Sequence, residues 1–290
     1  MGKKRFFDDR LKYLSFIQNT SEKRAISSEL TPFIASMPQN RTFLRILDAG
    51  TGDGTVKSNV IKTFHKYHPY TSLLITGKEI SYEDLKNTLE KMPDRFVEHP
   101  NLLVTMTNVK FAELGHVENA NKIKNKKVKV HNLILKEDNS FDFHLQINKL
   151  NNFIKKNWGI EIDNKSRTSY SNPCLIRIYR EDHKRYLEPF IDNDYENNNY
   201  DLIIASQAYR AASAVKTKVN NVIAPLMRLL NKSGRLLVTH SCGEATVEKI
   251  LKIAYKDKKP FPNKAKNIID FLKNNPVGEN SRYTFSKPRP

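Results

Sequence analysis

Ile46-Leu47-Asp48-Ala49-Gly50-Thr51-Gly52-Asp53-Gly54 is the stretch on which the fold turns. A mostly apolar run from Phe43 to Leu47 leads into an acid and then into three glycines at alternate positions. This is the pattern of a buried strand, a tight turn and a helix opening near Thr55. Glycine lets backbone come close to a ligand or to a packed helix. The spacing is G-x-G-x-G. The dinucleotide fingerprint places a third small residue at position 55, where this chain has Thr. Asp53 also counts against a pyrophosphate, because a carboxylate at the mouth of a helix repels the phosphates that helix N-termini attract. A ligand with a positive centre and no phosphate tolerates it.

The run D-A-G-T-G-D-G after an apolar strand resembles motif I of the class I S-adenosylmethionine-dependent methyltransferases. S-adenosylmethionine carries a sulfonium, an ammonium and one carboxylate. An ordinary strand-to-helix turn is the plain alternative. The resemblance implies an α/β fold of Rossmann-like, doubly wound type: a mostly parallel sheet with helices on both faces. It also implies S-adenosylmethionine as cofactor, with Asp48, Gly50, Thr51, Gly52, Asp53 and Gly54 around it. It covers about 40–113 and 200–285, and the Gly-rich motif is its only sharply specific part.

Working outward, a helix is expected from Gly54 to about Tyr67, closed by His68 and Pro69. A second strand at 72–79 ends in Glu79. In a parallel sheet ligands bind outside the carboxyl ends of the strands, where an acid can accept both hydroxyls of a ribose. Glu79 fits that role best, as the resemblance also implies, with Ile80 beside it. A helix-capping or surface Glu is the alternative. A helix at 82–92 is stopped by Pro93, and 102–106 is the third strand. By the resemblance, a polar residue just after that strand meets the adenine, which points to Thr107, Asn108 and Val109. The fourth strand, 200–205, runs into Ser206, Gln207, Ala208 and Tyr209 and looks like motif IV. A helix at 215–230, kinked at Pro225, is expected to end at Asn231-Lys232-Ser233-Gly234. The fifth strand is 235–239, with His240 just past it. Strand, helix, strand, repeated, calls for a parallel sheet.

Before the first strand, apolar positions at helical spacing predict two helices, the second carrying Ile26, Leu30, Phe33 and Ile34. Pro32 and Pro38 then lead into the sheet. Residues 1–39 form a helical lid in this reading, with Tyr13 and Phe16 over the cofactor or substrate; packing onto the sheet is the plainer role for both. The core is 40–113 and 200–290. Between them, 114–199 is an α+β insertion, read as a substrate subdomain. It holds alternating segments at 128–135 and 141–147, a helical pattern at 150–158 and an apolar run at 175–179. Helices near 245–255 and 265–273 precede a short sixth strand at 282–285. The final antiparallel strand of the family is expected to be missing.

Methyl transfer is an in-line displacement from an activated donor, so much of the rate comes from holding the nucleophile about 3 Å from the methyl carbon. No universal catalytic residue exists to search for. Gln207 and Tyr209 stand at the strand end, and His240 faces the same rim with a pKa suited to a general base. A solvated loop histidine is the alternative. The expected activity is methyl transfer to an N or O nucleophile. The layout of lid, motif I, Glu79 and Gln207 resembles small-molecule N-methyltransferases of the histamine-methylating kind, which implies a small-molecule acceptor. An RNA or protein methyltransferase, or a non-catalytic scaffold with a cofactor fold, stays open.

The formal charge of +18 is compatible with nucleic acid, an acidic small molecule or an anionic surface. The bland reading is a Lys- and Asn-rich chain with solvated lysines. The densest run, Lys122 to Lys129, has no interleaved aromatics for base stacking. Cys174 and Cys242 are far apart, so neither a disulfide framework nor a metal site is expected. No stretch of 18 apolar residues spans a membrane. The basic opening has no apolar signal core, so a cytoplasmic location is expected. None of these features sets the oligomeric state.

Overall fold

The computed structural model describes residues 22–116, 122–162, 168–191, 199–206, 208–241, 249, 253, 261–275 and 283–288. Tyr13, Phe16 and Gln207 lie outside them, as does nearly all of the expected helix at 245–255. The expected runs 43–47, 72–79, 102–106 and 200–205 all form strands: β1 (Phe43–Asp48), β2 (Ser72–Lys78), β3 (Leu102–Thr107) and β10 (Tyr200–Ser206). Their side chains are almost all buried on both faces. Parallel strands covered by helices need such continuous apolar runs.

The main sheet has seven strands in the order β11-β10-β1-β2-β3-β9-β6, with β6 (Lys129–Leu135), β9 (Cys174–Arg180) and β11 (Leu230–Thr239) completing it. From β11 to β3 every pairing is parallel; β9 runs antiparallel to β3, and β6 is parallel to β9. One face carries Leu44, Ile46, Leu73, Ile75 and Val104. It packs under α1 (Glu22–Ala35), α2 (Thr55–Tyr67), α3 (Tyr82–Glu90) and α4 (Pro93–Glu98), which contribute Leu30, Phe64, Leu85 and Phe96. The other face carries Leu47, Ile203 and Ala205 under Val222 and Leu226 of the segment between β10 and β11. The architecture is therefore a mostly parallel mixed sheet with helices on both faces, compatible with a Rossmann-like α/β fold.

The insertion enters that core. Strands β6 and β9 extend the main sheet at the β3 edge. Helices α5 (Ser140–Asn148) and α6 (Leu150–Asn157) place Phe143, Ile147, Leu150 and Ile154 in the same cluster as Leu44 and Phe96. The two strands that run against the other five, β9 and β6, thus both come from the insertion, on the edge away from β11. Two hairpins complete it: β4 (Lys122–Ile123) with β5 (Lys126–Lys127), and β7 (Ile160–Ile162) with β8 (Thr168–Tyr170).

Five local expectations are corrected. The alternating run 141–147 is helix. Asn139 caps it by accepting from the Asp142 amide at 3.0 Å, and Phe143 and Ile147, four apart, are its buried stripe while Phe141 is 70% exposed. Pro32 lies inside α1 rather than after it. The helix expected at 215–230 is shorter and irregular: α7 (Val215–Lys218), a π turn at Val219–Ile223, then α8 (Ala224–Met227). Pro225 cannot donate to the helical ladder, and the widened turn precedes it. Asn231 to Gly234, expected as a helix stop, form a bulge in β11: Tyr200 pairs with Leu230, but Leu202 pairs with Arg235. Asn231 holds the bulge by donating to Asp201 Oδ1 at 2.7 Å. The helix expected at 265–273 is α9 (Ala265–Asn274). Tyr283 to Phe285, expected in a sixth strand, are not in a strand; they pack beside Met227, whose carbonyl accepts from the Tyr283 hydroxyl at 3.1 Å. Among the described residues no helix is long and apolar enough to cross a membrane.

Candidate functional site

The Gly-rich loop leaves the carboxyl end of β1, next to the carboxyl end of β10. The connection from β1 packs on one face of the sheet and that from β10 on the other. This is a topological switch point, where open α/β sheets form a crevice for ligands. Gly50 makes the close approach: a Cβ there would lie 3.2 Å from the Ser206 carbonyl oxygen and 3.5 Å from Ala208 Cα. Gly52 and Gly54 have φ of 56° and 79°, which L side chains rarely adopt. A Cβ on Gly54 would also press on Thr88 of α3 at 2.7 Å. Gly50 and Gly54 are therefore already required by the loop's own packing.

Side chains from three elements hold this loop. Glu79, at the end of β2, accepts from the Gly52 amide at 2.9 Å through Oε2, and from Ile80 and Ser81 amides at 2.8 Å through Oε1. Thr88 donates to the Gly52 carbonyl at 3.0 Å, and Lys91 to the Asp53 carbonyl at 2.8 Å. Lys23, in the first turn of α1, pairs with Asp53. Burial alone would raise the Asp53 carboxyl, but the Lys23 ammonium and the Thr55 amide outweigh it and hold the pKa below the usual value. Asp53 is thus neutralised from within, so its charge repels an incoming phosphate less than its position in the sequence suggests. Lys23 thus ties the first turn of α1 to the loop; Tyr13 and Phe16 of the lid reading are outside the described residues.

Beneath the loop lies a buried pair that sequence reading missed. Asp48 is 1% and Lys57 0% exposed. Burial pushes the Asp48 carboxyl up, only partly opposed by Lys57, and pushes the Lys57 ammonium down, partly opposed by Asp48. Lys57 Nζ is 3.2 Å from Met106 Sδ, and neither Asp48 oxygen has a hydrogen-bond partner among the described residues. The signal was positional: Lys57 stands at the start of the stripe 57, 60, 61, 64, whose other members are Val60, Ile61 and Phe64.

Thr107 and Asn108, expected to meet adenine, tie two strands together through their side chains. Asn108 accepts from the Cys174 amide at 2.8 Å and donates to the Asn172 carbonyl at 2.9 Å, and Thr107 donates to the Cys174 carbonyl at 2.8 Å. Both clamp the start of β9 to the end of β3. Val109 is fully buried. The neighbouring Cys174 thiol is buried, which pushes its pKa up to about 12 and leaves it a poor nucleophile at neutral pH.

Tyr209 and His240 do come together. His240 Nε2 donates to the Asn263 carbonyl at 2.7 Å, which leaves Nδ1 as an acceptor facing the Tyr209 hydroxyl at 3.4 Å. Ser206 and Thr239 are register partners at the ends of β10 and β11, so parallel pairing brings the two segments side by side. Burial holds the Tyr209 phenol well above its usual pKa, so it stays protonated. Ala208 abuts Gly50, which sets this dyad against the Gly-rich loop. A separate small cavity lined by Arg45, Thr76, Thr105 and Arg177 opens mid-strand, away from this rim. No protein-family model and no curated protein matches the chain.

Proposed function

We propose that the chain binds S-adenosylmethionine at the carboxyl rim and catalyses methyl transfer to an N or O nucleophile. The observation that carries this reading is the convergence at the switch point. The Gly-rich loop, Glu79 and the Tyr209–His240 dyad meet where the two halves of the sheet diverge. The residues fit the cofactor in two respects. Glu79 has about four acceptor positions and uses three on backbone amides, leaving one for a ribose hydroxyl. Asp48 keeps an unsatisfied carboxylate under the loop.

When bound, the cofactor would supply the activated methyl group. The protein's part is orientation and proton handling. Glu79 fixes the loop that would cradle the ligand. His240 Nδ1, held in the right tautomer by the Asn263 carbonyl, takes the proton that the acceptor N–H or O–H loses, directly or through Tyr209. Acceptor identity is set at the same rim. A small molecule is the simplest occupant; the lysine-rich β4–β5 hairpin beside the rim favours an anionic macromolecule.

The test is a thermal shift with S-adenosylmethionine, S-adenosylhomocysteine and NAD. Either of the first two, at 100 times a micromolar-range dissociation constant, should add about 2.7 kcal/mol to stability. A response to NAD alone would overturn the reading.

A further inference from the structure

We infer that the β4–β5 hairpin is a docking surface for the phosphate backbone of a duplex nucleic acid, which presents its acceptor to the neighbouring rim. The inference deepens the methyl-transfer reading and rests on it only for what the docked duplex is there for.

The geometry begins at the end of β3. Thr107 pairs with Leu175, and Lys129 pairs with Cys174 one residue earlier in β9. The hairpin that precedes Lys129 therefore stands immediately beyond the carboxyl end of β3, on the same rim as Glu79. It is held there firmly. Ile123 and Val128 are buried in the cluster that Tyr209 packs against. Glu113, which also accepts from the Tyr170 hydroxyl at 3.0 Å, pairs with Lys124 at the turn at 3.1 Å.

Side chains on a two-stranded ribbon alternate between its faces. Ile123 is opposite Lys126, and that face is turned to the protein: Lys126 donates to the Ser171 carbonyl at 2.7 Å and pairs with Glu161. Lys122 is opposite Lys127, so this exposed pair is on the outward face. Like charges directly opposite each other destabilise a ribbon. A hairpin that keeps two lysines in this arrangement carries a repulsion that a polyanion relieves. Exposed Lys129 continues the strip along the edge strand β6, and exposed Lys155 and Lys156 stand in the last turn of α6. The Asn157 carbonyl that follows them accepts from Cys174 Sγ at 3.4 Å, at the same end of β9.

No aromatic side chain is interleaved among the hairpin lysines, so stacking on unpaired bases is not its mode of binding. A charged ribbon fits the phosphates that border a duplex groove. The net charge of +18 points to the same class of partner. Exposed Ile160 and Ile162 on the adjacent hairpin make an anionic bilayer the rival occupant.

Fluorescence anisotropy with a labelled 20-base-pair duplex, as RNA and as DNA, tests this without cofactor over a series of salt concentrations. The Lys122→Gln/Lys127→Gln variant removes the repelling pair, so its thermal stability should equal or exceed that of the parent. Its salt slope should be smaller by about 2, with duplex affinity down tenfold or more at low salt. The Lys62→Gln/Lys66→Gln variant loses the same charge from exposed positions on α2 and should keep the slope of the parent. Preference between the two duplexes tells which nucleic acid is the partner. Equal losses in both variants would reduce the effect to net charge and overturn the proposal. So would failure to bind either duplex, or tight binding to vesicles containing phosphatidylserine in place of duplex. The S-adenosylhomocysteine thermal shift, measured separately, reports on the cofactor site whichever way the duplex result falls.

Discussion

Buried titratable residues make the sharpest predictions at the scale of single side chains. Lys57 and Asp48 face each other's charge where neither reaches water. The two are coupled through the buried interior without an ion-pair contact, so removing one leaves the other charge unopposed, whereas replacing both is often neutral. Lys57→Met should therefore lower the urea midpoint strongly, and adding Asp48→Asn should recover most of the loss. A Lys57→Met variant as stable as the parent would mean that Asp48 is not charged in the fold. His99 gives a pH dependence. It is fully buried, and its Nε2 donates to the Thr71 carbonyl at 3.0 Å. Burial, with the His65 charge adding to it, lowers its pKa from 6.5 to about 4. Its folded-state pKa is depressed, so the unfolded chain binds more protons between these values. The stability it contributes is complete above pH 6.5 and drains away as pH falls toward 4, by up to about 3 kcal/mol. Unfolding curves at pH 7.5 and 4.5 for the parent and His99→Gln isolate this part, because other groups titrate alike in both. Equal pH dependence in the two would remove His99 as its source.

At the scale of elements, Glu79 is less a single contact than the brace between β2 and the Gly-rich loop. Replacing it with Ala frees three backbone amides at once. Cofactor affinity should fall by about 1–3 kcal/mol, or roughly 5- to 150-fold. Glu79→Gln keeps one acceptor oxygen and should lose less. Calorimetric titration with S-adenosylhomocysteine reads the difference; unchanged affinity in Glu79→Ala would leave the residue structural only. The acid at the end of β2 was legible in the sequence. Its amide partners were not, because they depend on how two loops converge. The parallel strands were legible for the opposite reason: burial on both faces writes itself as an unbroken apolar run. Residues 141–147 show how that logic fails. Phe141, Phe143, Leu145 and Ile147 alternate like a strand, but 143 and 147 also satisfy a helical stripe, and the exposed Phe141 and Leu145 are the wet side. Only the Asn139 cap distinguished the two readings. Lys57 was missed because its residue type says solvent while its position says core. Tyr209 and His240, 31 positions apart, were found because both follow the ends of neighbouring parallel strands.

The whole molecule decides what the insertion is. Read from the sequence, 114–199 is a subdomain that a short linker could replace without disturbing the core. In the structure β9 covers the edge of β3, and Phe143 of α5 sits 6.3 Å from Phe96 of α4, ring to ring. Leu150, Ile154 and Trp158 are in the same cluster as Val104 and Met106. Excising the segment would therefore do two things. It would uncover Val104, Met106 and Phe96, each costing about 1.5–3 kcal/mol when its burial is fully lost. It would also leave β3 as an open, apolar edge, a template for aggregation. The exposed groups together cost on the order of the 5–15 kcal/mol by which whole domains are stable. Removal of 114–199 should thus yield a chain with no cooperative unfolding transition and no cofactor response. Replacing only the outward Lys122 and Lys127 with Gln should leave both intact, because these side chains do not enter the core. Circular dichroism melts of the deletion and of this double variant make the comparison. If the chain lacking 114–199 melts cooperatively near the parent temperature, β6 and β9 are decoration on a self-sufficient sheet, and the insertion regains the independence that its sequence suggested.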